Sequence, residues 1–205
     1  MIAIVDYGMG NIRSLSNAVE FIGYEVMVTS DPQNIKDAAK IILPGVGAFG
    51  DAIARIREKG LDEILHREVI ERGKPMLGIC LGLQLLARSS CEHGFHKGLG
   101  WLEAEVVKFD PHFQIKIPHI GWNDIDYADP DPLFHALKEE ERAFYFVHSF
   151  YVKCENAADI LATCTHGLDF AAAIRRNNVV ATQFHPEKSQ DNGIQVLRNF
   201  LEWNP

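Results

Sequence analysis

The chain has 205 residues, 47% of them hydrophobic and 23% charged, with a formal net charge of −8. That length suits one domain, residues 1–205, with a substantial core, and the acidic balance argues against nucleic acid as a partner, which needs a basic patch. No apolar run approaches membrane-spanning length; four cysteines without a C-x-x-C pair, in a chain whose first residues already read as a strand, predict a cytoplasmic protein with reduced thiols.

In chain order, residues 2–6 read as a buried first strand. Ile12, Leu15, Val19 and Phe21-Ile22 recur near helical spacing over 11–22, and Gly23 ends that helix. Glu25 to Thr29 and Lys40 to Leu43 follow as strands. Asp51 to Gly60 and Leu61 to Arg72 are predicted helices, with Gly73-Lys74-Pro75 as a stop. Lys74 to Leu77 reads as a buried strand and Leu83 to Arg88 as the helix after it. Such strand–helix alternation predicts an α/β fold in three layers, a mostly parallel sheet with helices on both faces.

After Ser90 the pattern changes. Val106 to Phe109 and Gln114 to Ile117 read as strands joined by a turn at Asp110-Pro111. Phe144 to Val152, Asp159 to Thr163, Phe170 to Ile174 and Val179 to Phe184 continue in strand character. This C-terminal half is expected to add a mixed or antiparallel part. Asp129 to Glu141 is the most polar region, expected as an exposed loop with a short helix. Residues 193–203 close the chain as a helix.

Chemistry concentrates at three places. Gly78-Ile79-Cys80-Leu81-Gly82 lies between a strand and a helix, the thiol form of a nucleophile elbow. A sharp turn there lifts the cysteine from the sheet, and the helix start favours its thiolate. His185-Pro186-Glu187 ends a strand, where residues two apart point the same way. His185 and Glu187 would then share one side, a base with the group that orients it. Pro44-Gly45-Val46-Gly47 is a glycine-rich turn able to aim peptide N–H groups at an oxyanion; it lacks the Gly-Lys-Ser/Thr of a phosphate loop. Each element has a bland counterpart: a buried core cysteine, a surface turn, an ordinary loop. Cys91, Glu92, His93 and His96 have poor ligand spacing and no fourth ligand, so no metal site is expected.

These three elements in this order resemble the class I, triad-type glutamine amidotransferases along essentially the whole chain. Asp6 to Asn11, Pro118-His119-Ile120-Gly121-Trp122-Asn123 and His185 to Ser189 are most similar to the glutaminase subunits of imidazole glycerol phosphate synthases, of histidine biosynthesis. In one departure, Phe150 follows Ser149 where the pattern has a hydroxyl-bearing aromatic. The resemblance implies a glutaminase that needs no cofactor, with Cys80, His185 and Glu187 as its triad. It implies an oxyanion hole from the N–H of Leu81 and the Gly45-Val46-Gly47 turn. Gln84 and Ser149 would help hold L-glutamine. It further implies a separate (βα)8-barrel synthase subunit as heterodimer partner, docked near Asn11, Trp122, Tyr145, His148 and Lys188. A cysteine peptidase or chaperone-like protein with the same elbow is the reading from another class; His185-x-Glu187 and the Pro44–Gly47 turn favour the glutaminase.

Overall fold

A computed structural model describes residues 1–128, 131–137 and 142–205. The first half alternates as expected: β1 (Ile2–Val5), α1 (Ile12–Ile22), β2 (Val26–Thr29), α2 (Pro32–Asp37), β3 (Lys40–Leu43), α3 (Phe49–Glu58), α4 (Leu61–Leu65), β4 (Met76–Ile79) and α5 (Leu81–Leu85). α4 runs on into a π-helical turn, His66–Glu71. Then come β5 (Ala87–Ser90), β6 (His96–Lys97), β7 (Leu102–Lys108), β8 (His119–Asp124), β9 (Asp126–Tyr127), β10 (Ala143–His148), β11 (Phe150–Cys154), β12 (Ile160–Thr165), β13 (Asp169–Arg176), β14 (Val179–Thr182) and α6 (Gln190–Glu202).

The main sheet has eight strands in the order β2-β1-β3-β4-β14-β13-β12-β9. β2, β1, β3, β4 and β14 are parallel, with β14 in register on β4 through Ala181–Gly78. β13, β12 and β9 add antiparallel strands. A two-stranded ribbon, β8–β10, and a four-stranded sheet, β11-β7-β5-β6, complete the C-terminal half.

Strand alternation divides the core between the two faces of the sheet. Ile2, Ile4, Ile42, Leu77 and Val180 pack with Leu15 and Val19 of α1 and Val196, Leu197 and Phe200 of α6. Val5, Ile41, Leu43, Met76 and Ala181 pack with Ile35, Phe49, Ile53, Ile56, Leu61 and Leu65 of α2 to α4. β1, β3, β4 and β14 are buried on both sides, which is why they read as continuous apolar runs; β2, at the sheet edge, is half-exposed. Among the described residues no helix is long and apolar enough to cross a membrane.

Four local expectations are corrected. The helix after the elbow is a single turn, Leu81–Leu85, and Ala87–Ser90 is a strand. Its backbone pairs with β7 and β6, and that pairing overrides local helix propensity. No strand forms over 114–117. Asp110 caps a 3-10 turn at Pro111–Phe113, and Gln114 adopts φ 55°, which ends the extended run. The single strand expected over 144–152 breaks at Ser149 into β10 and β11, which join different sheets. Of the polar segment 129–141, residues 129–130 and 138–141 lie outside the described ones. The remainder holds a 3-10 turn that buries Leu133 and Phe134.

Candidate active site

The loops after β1, β3 and β4 and the turn after β14 gather at the carboxyl ends of the parallel strands, where open α/β sheets bind ligands. A cavity of about 390 Å³ opens there. Cys80 is in its wall at φ 54°, ψ −105°, an uncommon conformation for a non-glycine residue. The backbone holds it: the Cys80 N–H donates to the Thr182 carbonyl at 2.7 Å, and the Cys80 carbonyl accepts from the Gln84 N–H at 3.2 Å. Gly82 permits the turn, since a Cβ there would collide with the Leu43 carbonyl. The helix beyond is five residues long, so its dipole is that of one turn.

His185 lies in the same cavity and is 1% exposed. Its Nδ1 meets Glu187 Oε1 at 2.8 Å. The two come together on a 3-10 turn, Pro186–Lys188, and not on an extended strand end. Proline favours such a turn start because its φ is already suitable. Tyr145 anchors the turn: its carbonyl accepts from the His185 N–H at 2.9 Å, and its N–H donates to Ser189 Oγ at 3.0 Å. Ser189 Oγ in turn donates to the His185 carbonyl at 2.6 Å.

His185 Nε2 is buried without an oxygen or nitrogen partner, beside the Cys80 sulfur. Burial alone would lower the imidazole pKa. The Cys80 sulfur and then Glu187 outweigh burial and raise it to about 10. At neutral pH this balance favours the imidazolium form of His185.

Val46, Gly47 and Leu81 also line the cavity. Gly47 adopts φ +101°, a conformation that suits glycine. Gly45 lies two residues back, packed under Tyr7 and Leu81. Tyr7 fixes this turn by donating from its buried hydroxyl to the Pro44 carbonyl at 2.9 Å. Gln84 is buried in the wall; its Nε2 donates to the Phe150 carbonyl at 3.0 Å and to Gln183 Oε1 at 3.1 Å. Ser149 and Phe150 enter the cavity because the chain breaks between β10 and β11.

The residues expected at a docking face divide. Trp122 is 48% exposed and meets Tyr145 edge to face, with ring centroids 6.1 Å apart. Lys188 sets its ammonium 5.7 Å from the Tyr145 ring, at the cavity rim. Asn11 precedes α1 in the loop after β1. His148 belongs elsewhere: it is buried in the cavity wall, with Nδ1 on the Phe150 carbonyl at 2.8 Å.

Two residues were missed from the sequence. Gln183 is fully buried and its Nε2 points to the Cys80 sulfur at 3.6 Å. A lone amide in the apolar run 179–184 was the available signal. Glu92 lines the cavity and caps α3, Oε2 accepting from the Phe49 N–H at 2.7 Å. In the sequence it stands out only within the poor ligand set of Cys91, His93 and His96.

A glutamine amidotransferase class-I family model matches residues 3–203. The chain belongs to the class I glutamine amidotransferase family. This amidotransferase is 53% identical to imidazole glycerol phosphate synthase subunit HisH 2 of Nitrobacter winogradskyi, over all of this chain and 99% of that one. It is 49% identical to subunit HisH of Syntrophotalea carbinolica, over 98% of each chain. Among solved structures, PurLQS from Thermotoga maritima shares the fold at TM-score 0.75 and 22% identity, over 98% of this chain and 96% of that one.

Proposed function

We propose that this chain is the glutaminase subunit of an imidazole glycerol phosphate synthase, working in histidine biosynthesis in the cytoplasm. The names of relatives near 50% identity support that pathway. The observation that carries the chemistry is a cysteine held at φ 54° in one cavity with a buried His185–Glu187 pair.

In this reading residues 1–205 act as one amidotransferase domain. The Cys80 thiolate attacks the side-chain amide carbon of L-glutamine, forming a C–S bond. The oxyanion takes hydrogen bonds from the Leu81 N–H and from the Gly45-Val46-Gly47 turn. His185 gives its Nε2 proton to the departing nitrogen, the C–N bond breaks, and ammonia leaves a thioester. His185, now neutral, takes a proton from water, which attacks the thioester. Glutamate leaves and the thiolate–imidazolium pair is restored. Glu187 holds His185 in orientation. Gln84 and Ser149 bind the amino-acid end of glutamine, and Glu92 supplies a carboxylate for its ammonium. Ammonia passes to a (βα)8-barrel synthase subunit docked on the face of Asn11, Trp122, Tyr145 and Lys188. There it enters imidazole glycerol phosphate and aminoimidazole carboxamide ribotide formation.

The test is Cys80→Ala in the complex with the synthase subunit. Glutamine-dependent synthesis should fall by at least about 10⁴-fold, and ammonium at alkaline pH should restore it. A glutamine-analogue alkylator should label Cys80 and spare Cys91, Cys154 and Cys164. Glutaminase activity surviving in Cys80→Ala, or no rescue by ammonium, would refute this division of labour.

A further inference from the structure

Two histidines are paired across the β8–β10 ribbon, His148 in the cavity wall and His119 behind it. Both are buried. His148 Nδ1 is 2.8 Å from the Phe150 carbonyl, which can only accept, so Nδ1 carries the proton. In the neutral ring Nε2 must then accept, and its partner is His119 Nδ1 at 3.1 Å. His119 Nδ1 is therefore the donor and its Nε2 the acceptor, facing Asn123 Nδ2 at 3.2 Å. The Asn123 amide orientation is fixed independently: Nδ2 also donates to the Thr165 carbonyl at 3.0 Å, and Oδ1 accepts from the Asp124 N–H at 2.9 Å. Every proton in the series is assigned by its neighbours.

The series continues into the site. The Phe150 carbonyl that His148 engages also accepts from Gln84 Nε2, and Gln84 holds Gln183, whose amide reaches the Cys80 sulfur. One end of this chain of hydrogen bonds is Asn123 on β8; the other is the nucleophile. Strand alternation puts His119 and Asn123 on the inner side of β8 and Ile120 and Trp122, both exposed, on the outer.

We propose that His119 is a positioning residue for the glutamine site. It donates from Nδ1 to His148 and so fixes the ring whose own Nδ1–H shares the Phe150 carbonyl with Gln84. The orientation of the Gln84 side chain, and with it the binding of glutamine, depends on that donation. The ring itself is clamped: it stacks on Phe146 at 4.9 Å and on His166 at 4.1 Å. His166 stays in place by setting its Nε2 2.9 Å from the Lys116 carbonyl. Burial holds both inner rings neutral, His119 down to about 4 and His148 down to about 3. The inference rests on the glutaminase reading above, with Gln84 as a substrate contact.

Two measurements test it. Nitrogen-15 spectra of the imidazoles at pH 7 should show both His119 and His148 as neutral Nδ1–H tautomers, a readout that needs no glutaminase activity. An Nε2–H tautomer at either residue overturns the proposal whatever the chain's function. In the complex with the synthase subunit, His119→Phe keeps the stacked ring and removes the donor. KM for glutamine should rise about tenfold with kcat within twofold, the pattern of lost uniform binding. His119→Asn, whose amide can donate near the Nδ1 position, should recover most of that loss. An unchanged KM in His119→Phe, a loss confined to kcat, or no recovery in His119→Asn overturns it. A wild-type complex without glutaminase activity refutes the functional reading instead, and leaves the tautomer result standing.

Discussion

The loops after β3 and β4, backed by Tyr7 from the loop after β1, form one wall of the cavity; the β8–β10 ribbon, the start of β11 and the turn after β14 form the other. The first wall is set by main chain. Cys80 is held through its N–H and carbonyl, and Gly82 lies against the Leu43 carbonyl. The second wall is set by side chains: Glu187 on His185, Ser189 on the Tyr145 backbone, and the histidine pair behind Phe150. Errors should therefore propagate differently. A backbone fault in the first wall should damage folding, whereas a side-chain fault in the second should damage function and leave the fold standing.

The largest effect expected from this contrast is Gly82→Ala. The new methyl would meet the Leu43 carbonyl, a main-chain group in the middle of the parallel sheet that cannot step aside. Denaturant unfolding should show a loss of about 3 kcal/mol, at the upper end of overpacking costs. A loss below about 1 kcal/mol would mean the elbow yields easily, and the contrast between the walls would fail.

Next comes Glu187→Gln, in the second wall. The glutamine side chain keeps the shape but removes the charge beside His185. Glutaminase turnover should fall about 10²-fold, with little change in unfolding. The pH behaviour separates charge from shape. His185 is raised from its ordinary 6.5 to about 10, first against burial, through the Cys80 sulfur and Glu187. Its ion pairing therefore stabilises the fold fully below about 6.5 and is lost as pH rises through about 10. Activity that needs the imidazolium should show an alkaline limb near 10 in the natural chain and a lower one in Glu187→Gln. Identical limbs would leave Glu187 a packing residue.

The same contrast explains what the sequence revealed. The first wall was legible because apolar runs, glycines and the Cys80 elbow are local signals: each strand and its turn are written in consecutive residues. β1, β3 and β4 lie within a residue or two of where the pattern put them. The second wall depends on partners far along the chain. β5 looked helical because its pairing with β7 is invisible locally. The break at Ser149 is hidden in a run of good strand formers, yet it delivers Ser149 and Phe150 to the cavity. His185 and Glu187 were paired correctly for the wrong reason, since a 3-10 turn, not strand alternation, joins them. Locally Glu92 reads only as a poor metal ligand, and its place in the cavity follows from capping α3, a tertiary contact.

The smallest expected effect sharpens the comparison most, because Tyr7 is a side chain working in the backbone wall. Its hydroxyl is held well above the ordinary tyrosine range, by burial first and then by the Cys80 sulfur. It stays protonated and serves as donor to the Pro44 carbonyl, one residue before the Gly45–Gly47 turn. Tyr7→Phe removes that bond and leaves a buried carbonyl without its partner, at a cost of about 1 kcal/mol in unfolding free energy. If the turn supplies an oxyanion donor, its loosening should also lower kcat, by up to about tenfold, while KM for glutamine holds. Should stability fall with kcat unchanged, main chain alone sets the turn and the first wall needs no side-chain support. Should kcat fall as far as in Glu187→Gln, the walls do not differ in kind, and side-chain hydrogen bonds govern both.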